Sequence, residues 1–366
     1  MPALAYTARV RIVVTGAAGF IGSHTCERLI ARGHDVVGLD SFDSFLYPEA
    51  AKRRNATALA ELPRFHLIEG NIRSPDDVAA AITQDVDVVC HLAALAGVRP
   101  SLAKPLEYVR TNVEGTGVIV ERMRALGLQR LAFASSSSVY GARHDGAAFR
   151  EDDPCLTPAS PYAATKRMNE LMLSTYRDLF GIGVFALRFF TVYGPRQRPD
   201  MAIAKFTHAI SRGEPITLYG DGSSRRDYTF IDDIVTGTVA AIERVAPARY
   251  EIFNLGGTGT ISLIDLVRTI ERVVGKSAVI DWQPDQPGDV PITFANIDRA
   301  RAQLDYAPTT PPEVGIARYC RLTNRPPSTS TEAPVTYLAK SDARNTTQPA
   351  TSRGSPNLPS GMRVSM

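Results

Sequence analysis

The stretch VVTGAAGFIGSH, residues 13–24, decides the fold. It places Gly16, Gly19 and Gly22 in the spacing G-x-x-G-x-x-G, directly after a β-branched run and ahead of a segment with helical character from Phe20 onward. The first glycine permits a tight turn, the second lets a pyrophosphate reach the backbone amides at the positive end of a helix, and the third lets helix and strand pack closely. Residues 13–24 therefore predict a strand, a phosphate-binding turn and a helix.

Polar and small residues follow the next predicted strands. Asp40 ends the second strand about 20 residues after the glycines, where a carboxylate binds the adenosine ribose and repels a 2′-phosphate, which favours NAD over NADP. Asn71 ends the third strand and is expected to hydrogen-bond the adenine through its amide oxygen. Ala93 and Ala94 follow the fourth strand and leave room for the cofactor, although core packing explains them nearly as well.

Short β-branched runs alternate with longer stretches of helical periodicity. This alternation predicts a Rossmann-type α/β fold, a doubly wound parallel sheet with helices on both faces. We assign residues 1–190 to this NAD-binding domain and 191–323, including EIFNLGG, mainly to a smaller nucleotide-sugar-binding lobe, some segments of which return to the first domain. Residues 324–366 are rich in Ser, Thr and Pro, and we expect a disordered tail. The six runs of the first domain are RVRIVVTG, HDVVGLD, RFHLIEG, VDVVCHLAA, RLAFASSS and GVFALRFF.

Composition limits the classes of partner. The formal net charge of +3 resides in the tail, which has five Lys or Arg against two Asp or Glu, so the body is neutral and gives no electrostatic reason to expect nucleic acid or a membrane surface. The four cysteines are far apart and form no C-x-x-C pair, so neither a metal site nor a disulfide framework is predicted. With no leader-like or membrane-spanning segment, we expect a cytoplasmic protein.

Two features carry chemistry. FASSSSVYG follows the fifth strand and brings serine hydroxyls to the cofactor crevice. In YAATK, Tyr162 and Lys166 are one helical turn apart, so they share a helix face, and an ammonium beside a phenol lowers its pKa. With a nicotinamide dinucleotide these groups form a hydride-transfer site, in which Tyr162 is the general base. A surface tyrosine beside a solvated lysine is the alternative for this pair taken alone.

The motifs TGAAGFIGSH, HLAA, SSSSVYG, YAATK and RFFTVYGP together resemble the extended short-chain dehydrogenase/reductase family, over roughly residues 9–321. Most members are NAD-dependent nucleotide-sugar epimerases, dehydratases and decarboxylases. The resemblance implies that the catalytic residues are Tyr162, Lys166, Ser136 and Ser137. It implies the cofactor-binding residues Gly16, Gly19, Phe20, Ile21, Gly22, Asp40, Asn71, Ile72, Leu92, Ala93, Ala94, Asn112, Tyr162 and Lys166.

Departures within the family indicate the substrate. Dehydratases carry Asp-Glu immediately before V-Y-G, where this chain has Ser137 and Ser138, so the acid that eliminates a 6-hydroxyl is missing. TVYGPRQRPDMA is similar to the UDP-glucuronate 4-epimerases, in which an arginine at the position of Arg198 pairs with the sugar carboxylate. AGVRPSL and QPGDVP share this similarity. The implied substrate-binding residues are Arg99, Ser136, Ser137, Thr191, Arg198, Arg226 at the pyrophosphate and Asp289 at the uridine ribose.

We therefore expect an NAD-dependent 4-epimerase that interconverts UDP-glucuronic and UDP-galacturonic acid through a 4-keto intermediate without decarboxylation. Alternatives are a UDP-glucose/UDP-galactose epimerase, a decarboxylating UDP-glucuronate enzyme and, more remotely, a non-catalytic dinucleotide-binding regulator. Family members are commonly dimers, so we expect a homodimer.

Overall fold

The computed structural model describes residues 9–46, 48–143, 145–257, 259–284 and 292–323. Strands and helices alternate through the first half of the chain, as the sequence predicts. The strands are β1 (Arg11–Thr15), β2 (Asp35–Asp40), β3 (Phe65–Glu69), β4 (Val88–His91), β5 (Arg130–Ser136), β6 (Gly183–Phe189), β7 (Thr191–Tyr193), β8 (Pro215–Tyr219), β9 (Arg225–Arg226), β10 (Tyr228–Phe230), β11 (Tyr250–Leu255), β12 (Ile261–Ser262), β13 (Val279–Gln283) and β14 (Ile292–Thr293).

Helices connect these strands, together with a π-helical turn (Val109–Glu114) and a 3₁₀ turn (Ser137–Tyr140). The helices are α1 (Phe20–Ala31), α2 (Glu49–Ala60), α3 (Pro75–Ala81), α4 (Val98–Ala103), α5 (Pro105–Tyr108), α6 (Gly115–Leu126), α7 (Pro161–Phe180), α8 (Ala202–Arg212), α9 (Ile231–Arg244), α10 (Leu263–Val274), α11 (Asp298–Leu304) and α12 (Pro312–Thr323).

Seven parallel strands form the central sheet in the order β11-β6-β5-β4-β1-β2-β3. Every residue of β4 and of β6 is buried, because helices cover both faces of the sheet. The chain builds outward from β1 to β3 and then returns to β4 on the other side of β1. In a sheet of this kind ligands bind outside the carboxyl ends of the strands where the order reverses, which here is between β1 and β4.

The segment EIFNLGG lies elsewhere than the sequence analysis assigns it. Strand β11 pairs in parallel with β6 at the edge of the central sheet, and the preceding helix α9 packs against α1 and β5. A short strand-like run such as YEIFNL can pair at either edge of any of the sheets, so its composition does not identify the strand it pairs with. The fold therefore takes its seventh strand from the second half of the chain.

The remaining elements form a smaller layer beside the carboxyl ends of β5 and β6. It contains the parallel pairs β7/β10 and β8/β13 and a three-stranded sheet in the order β12-β9-β14. Helix α10 packs against α8 and α12. Across the residues that the structure describes, no helix combines the length and apolar character needed to span a membrane.

Candidate active site

A cavity of about 650 Å³ opens at the carboxyl ends of the central strands. This volume is in the range of about 300–1,000 Å³ that is usual for small-molecule sites. The cavity brings together most of the residues that the sequence predicts for cofactor, catalysis and substrate. Those that line it are Gly16, Gly19, Phe20, Ile21, Gly22, Asp40, Asn71, Ile72, Leu92, Ala93, Ala94, Ser136, Ser137, Tyr162, Lys166, Thr191 and Arg198.

The glycine loop between β1 and α1 has no room for side chains at two of its positions. Gly16 has φ +71°, and a Cβ there would lie 2.9 Å from the amide nitrogen of Ala93. A Cβ on Gly22 would lie 2.0 Å from the carbonyl oxygen of Gly16, because α1 packs directly on the loop. Helix α1 begins at Phe20, as predicted, and its first turn points into the cavity. This loop is a backbone cradle of the shape that a pyrophosphate requires.

Two polar residues at the far end of the cavity fit the adenosine half of a dinucleotide. The Asp40 carboxylate accepts hydrogen bonds from the amides of Ala18 (3.0 Å) and Phe42 (2.9 Å), one on each oxygen, which leaves a lone pair on each for ribose hydroxyls. The Asn71 side-chain oxygen accepts from the amide of Arg73 at 2.9 Å and keeps one acceptor position. The residues present therefore fit NAD at this end of the cavity.

The loop after β4 is fixed from behind by a buried chain of hydrogen bonds. The amide of Ala93 donates to Thr15 Oγ1 (3.2 Å), which lies 2.7 Å from His91 Nδ1, and His91 Nε2 lies 3.0 Å from Thr116 Oγ1. Burial, with the charge of Lys166, lowers the pKa of His91 to about 3. His91 is therefore a neutral link that holds the cavity wall in place.

Asn112, expected among the cofactor-binding residues, lies outside the cavity lining. Its side chain is 1% exposed and sits in the π-helical turn. Its amide oxygen accepts from the amide of Leu95 (2.8 Å), and its amide nitrogen donates to the Leu95 carbonyl (3.0 Å) and to Thr165 Oγ1 (3.0 Å). Asn112 thus connects the loop after β4 to helix α7, on which Tyr162 and Lys166 reside.

Helix α7 begins one residue before Tyr162. Ser160 caps it by accepting a hydrogen bond from the amide of Ala163 (3.1 Å), and Pro161 occupies the first helical position, where its missing N–H costs nothing. The Tyr162 ring meets that of Tyr108 edge to face, with centroids 6.2 Å apart. Burial raises the pKa of Tyr162, while a hydrogen bond with Ser136 and the positive charge of Arg198 act to lower it.

The serine cluster divides into two roles. Ser136 and Ser138 are hydrogen-bonded to each other, Oγ to Oγ at 2.9 Å, at the start of the 3₁₀ turn beside the cavity. The Ser135 hydroxyl donates to the carboxylate of Glu170 at 2.7 Å. Ser136 and Ser137 line the cavity, and the hydrogen bond of Ser136 with Tyr162 acts to lower the pKa of that phenol.

Lys166 is buried and donates a 2.6 Å hydrogen bond from Nζ to the Ala134 carbonyl. Burial lowers its pKa to about 7, against the opposing effect of the Glu170 charge. The sequence analysis expects Lys166 to lower the pKa of Tyr162. The structure differs, because the ammonium is directed at the Ala134 carbonyl and the groups that lower the Tyr162 pKa are Ser136 and Arg198.

Arg198 lines the same cavity, near Tyr162. Its guanidinium donates from Nη1 to the Ala96 carbonyl (3.2 Å), and from Nε and Nη2 to the two carboxylate oxygens of Asp200 (3.0 and 2.8 Å). Tyr108 also donates to the Ala96 carbonyl, at 3.0 Å. Burial acts against the Arg198 charge, but Asp200, Tyr162 and Tyr108 raise the pKa of the guanidinium above its ordinary value. Arg198 is therefore a fixed cation beside the Tyr162 ring.

Two predicted substrate residues, Arg99 and Arg226, lie apart from the cavity lining. Arg99, on α4, stacks over the ring of Tyr219 at 5.6 Å. Arg226, on β9, donates from Nη1 to the carbonyl of Arg225 at 2.9 Å. Asp289 lies outside the described residues. The assignments of Arg226 to the pyrophosphate and Asp289 to the uridine ribose stay predictions.

Sequence reasoning missed four residues that shape the Arg198 wall: Ala96, Gly97, Tyr108 and Asp200. Only Asp200 left a signal in the sequence, since an acid two residues after an arginine in a proline-containing loop is well spaced for a local ion pair. Ala96 and Gly97 contact Arg198 across about 100 residues of sequence, and Tyr108 acts through the Ala96 carbonyl, 12 residues before it. The described part of the chain contains no cluster of three or more His, Cys, Asp or Glu arranged to bind a metal ion.

The fold and cavity define a Rossmann-type enzyme. Comparison with known families gives a match to the NAD dependent epimerase/dehydratase family over residues 12–256. The chain belongs to this family.

The curated relatives include a probable UDP-glucuronate 4-epimerase of Rhizobium meliloti, 39% identical over 329 residues that cover 85% of this chain and 96% of the relative. A UDP-glucuronate 4-epimerase of Thermodesulfobacterium geofontis is 39% identical over 308 residues, 84% of this chain and 94% of the relative. Among solved structures, the UDP-glucuronic acid 4-epimerase of Bacillus cereus in complex with UDP-glucuronic acid and NAD is 39% identical, with a TM-score of 0.80 over 85% of this chain and 98% of that chain.

Proposed function

We propose that this protein is an NAD-dependent 4-epimerase that interconverts UDP-glucuronic acid and UDP-galacturonic acid through a 4-keto intermediate, without decarboxylation. The observation that carries the proposal is that one cavity holds the glycine loop, the Tyr162 and serine hydroxyls, and the Arg198 cation. The names of the relatives at 39% identity support the same substrate.

The glycine loop would hold the NAD pyrophosphate, Asp40 its adenosine ribose and Asn71 its adenine, with Ile72, Leu92, Ala93 and Ala94 along its length. When bound, NAD supplies the reversible oxidation of the sugar at C4. Lys166 binds the nicotinamide ribose. Its donor capacity fits this role, since an ammonium has three hydrogens and the Ala134 carbonyl takes one.

Tyr162 removes the proton of the sugar 4-hydroxyl. Its ring is held between α7 and the edge of Tyr108, so the phenolic oxygen needs little reorganisation to reach the substrate. Burial disfavours the phenolate, and the Ser136 hydrogen bond and Arg198 charge offset that cost. Ser136 and Ser137 orient the 4-hydroxyl and relay its proton. The ketone then turns over in the cavity and is reduced on its opposite face, with Tyr162 returning the proton.

The 4-keto intermediate is a β-keto acid, which readily loses carbon dioxide. A 4-epimerase must therefore hold the carboxylate in an orientation that disfavours cleavage. Arg198 and Thr191 are proposed to do this, and their positions in the lining of the same cavity as Tyr162 support the assignment. The guanidinium presents paired N–H donors to a carboxylate, which the neutral 6-hydroxymethyl group of UDP-glucose cannot use.

The active species is a homodimer, and its interface is an apolar face formed by α4, α5 and α7. These helices pack side by side and expose Leu102 (63%), Leu106 (67%), Met168 (48%) and Leu171 (54%). Exposed apolar side chains on helices that pack together are typical of a protein interface. Light scattering after gel filtration tests it: Leu171→Glu should give monomer, and a dimer in that variant would refute this interface.

The protein functions in the cytoplasm and binds neither nucleic acid nor a membrane. The four cysteines are buried free thiols, which fits a reducing compartment. Fractionation of the source cells tests the compartment.

The decisive experiment is to incubate the purified protein with UDP-glucuronic acid, without added nucleotide, and to follow products by mass-resolved chromatography. We expect a new peak of unchanged mass that co-elutes with UDP-galacturonic acid. A product lighter by carbon dioxide would identify a decarboxylating enzyme. Turnover of UDP-glucose in place of UDP-glucuronic acid would identify an epimerase of neutral sugars, and no turnover of either would favour a non-catalytic regulator.

A further inference from the structure

The carboxylate-binding edge of Arg198 is already used by the protein itself. Asp200 accepts one hydrogen bond on each oxygen, from Nε at 3.0 Å and from Nη2 at 2.8 Å. This is the bidentate geometry by which a guanidinium recognises a planar carboxylate. Asp200 thus makes the contact that a substrate carboxylate would make.

The charge balance at Arg198 determines whether the site attracts an anionic sugar more than a neutral one. Arg198 and Asp200 together are neutral, so the intact pair offers an anionic sugar no net attraction over a neutral one. If both carboxylates contacted one guanidinium in a site where Arg198 is only 16% exposed, two anions would lie close together away from bulk water. Like charges in such a setting repel strongly. Exchange of one carboxylate for the other avoids that repulsion.

Arg198 is held in place by more contacts than Asp200 is. Arg198 is anchored by the Ala96 carbonyl, which Tyr108 also fixes, and its Nη2 lies against Gly97. The Asp200 side chain is 47% exposed, and its hydrogen bonds from the described residues both come from Arg198. The aspartate can therefore rotate into water while the guanidinium stays in place.

We propose that Asp200 is a specificity-determining residue: it occupies the carboxylate subsite of Arg198 in the free enzyme and leaves it when the carboxylate of the sugar nucleotide binds. The inference rests on the proposed function, since it needs an anionic sugar as ligand. The resident carboxylate keeps Arg198 oriented and its charge compensated until substrate arrives. It also weakens apparent affinity, because only the fraction of protein with the subsite open can bind.

The test compares Asp200→Asn with the parent for three ligands: UDP-glucuronic acid, UDP-glucose and UDP. If Asp200 holds the subsite nine-tenths of the time, its removal strengthens binding of UDP-glucuronic acid about 10-fold. Affinities for UDP-glucose and UDP should not change, since neither places a carboxylate at Arg198. Asp200→Glu, which retains a competing carboxylate, should behave like the parent. Asp178→Asn makes the same charge change at the exposed end of α7 and serves as the control.

Calorimetry in the Tyr162→Phe background measures these affinities without turnover, so the result does not depend on which reaction follows. Weaker or unchanged binding of UDP-glucuronic acid in Asp200→Asn would overturn the inference, because an aspartate that only orients Arg198 would weaken binding when lost. If the melting temperature of Asp200→Asn lies well below that of the parent, the affinities of Asp200→Ser are measured in its place. If Asp200→Asn binds UDP-glucuronic acid more tightly than the parent but the parent does not epimerise it, the proposed function is refuted. The exchange of carboxylates at Arg198 is then still supported.

Discussion

Glu170 on helix α7 and Arg188 on strand β6 form two parallel hydrogen bonds of 2.9 Å, Nε to Oε1 and Nη2 to Oε2, with side chains 0% and 1% exposed. Ser135 (2.7 Å) and Arg167 (3.0 Å) donate to the same carboxylate. Burial opposes the Glu170 charge, but these donors lower the pKa of its carboxyl below its ordinary value. The pair lies one helical turn beyond Lys166, so it fixes the helix that carries Tyr162 and Lys166.

We predict that Glu170→Ala destabilises the protein by about 3–5 kcal/mol, because the Arg188 guanidinium is then buried without its carboxylate counter-charge. Urea unfolding measures the loss. The exposed pair Glu121 and Arg124 provides a control, and Glu121→Ala should cost about 1 kcal/mol or less. Replacing both partners, with Glu170→Leu and Arg188→Met, should recover most of the loss. A cost in Glu170→Ala no larger than in Glu121→Ala would contradict this account.

Lys166 should make stability depend on pH. Its pKa is about 7 in the folded protein against the ordinary 10.5, so between these values the unfolded chain holds a proton that the folded chain lacks. Stability therefore rises with pH across that window, by up to about 1.4 kcal/mol per pH unit, and below pH 7 the full cost of burying the ammonium applies.

The difference in unfolding free energy between parent and Lys166→Met isolates this contribution. Measured at pH 6 and pH 9 on protein freed of nucleotide, it should shift in favour of the parent at the higher pH. A difference that is equal at both pH values would show that the Lys166 pKa is not depressed.

Tyr162→Phe should reduce turnover of UDP-glucuronic acid by about 10²–10⁴-fold, the usual contribution of a positioned acid–base group. The ring that packs against Tyr108 is retained, so melting temperature and affinity for UDP should stay close to those of the parent. Tyr176→Phe removes a hydroxyl that bonds Glu121 near the far end of α7 and should leave turnover unchanged. Initial rates of the parent, Tyr162→Phe and Tyr176→Phe test this prediction. A Tyr162→Phe rate near that of the parent would exclude Tyr162 as the base.

Local sequence patterns predicted the first β-α-β unit well. The spacing of Gly16, Gly19 and Gly22 gives both the turn after β1 and the start of α1 at Phe20, because Gly16 takes the positive φ of the turn and Gly22 packs against the Gly16 carbonyl within the same short segment. Asp40 likewise ends β2 beside that loop, with one oxygen bonded to the amide of Ala18. Short-range geometry determines these positions, so the sequence alone was sufficient.

Long-range contacts were not predictable in the same way. The partner of β11 depends on where α9 packs, and the direction of the Lys166 ammonium depends on the carbonyl of Ala134, 32 residues earlier in the chain. The Ala96 carbonyl meets Arg198 across 102 residues. None of these pairs has a fixed spacing that a motif could encode, so the electrostatics of the Arg198 wall emerged only from the fold.

Gly97 gives a direct test of that wall. Its backbone has φ +105° and ψ 131°, a conformation that costs residues with a side chain about 1–3 kcal/mol. A Cβ there would also lie 3.2 Å from Arg198 Nη2. Gly97→Ala should therefore lower stability and, by displacing the guanidinium, raise KM for UDP-glucuronic acid more than KM for UDP-glucose.

Gly117→Ala is the matched control, because Gly117 lies inside helix α6 with open space around its Cβ position. That substitution should stabilise the protein by about 0.5–1 kcal/mol and leave both KM values unchanged. Chemical denaturation and initial-rate kinetics on both variants separate backbone strain from displacement of Arg198. If Gly97→Ala raised KM equally for the acidic and the neutral sugar, the defect would lie in the loop as a whole and the guanidinium would not be its cause.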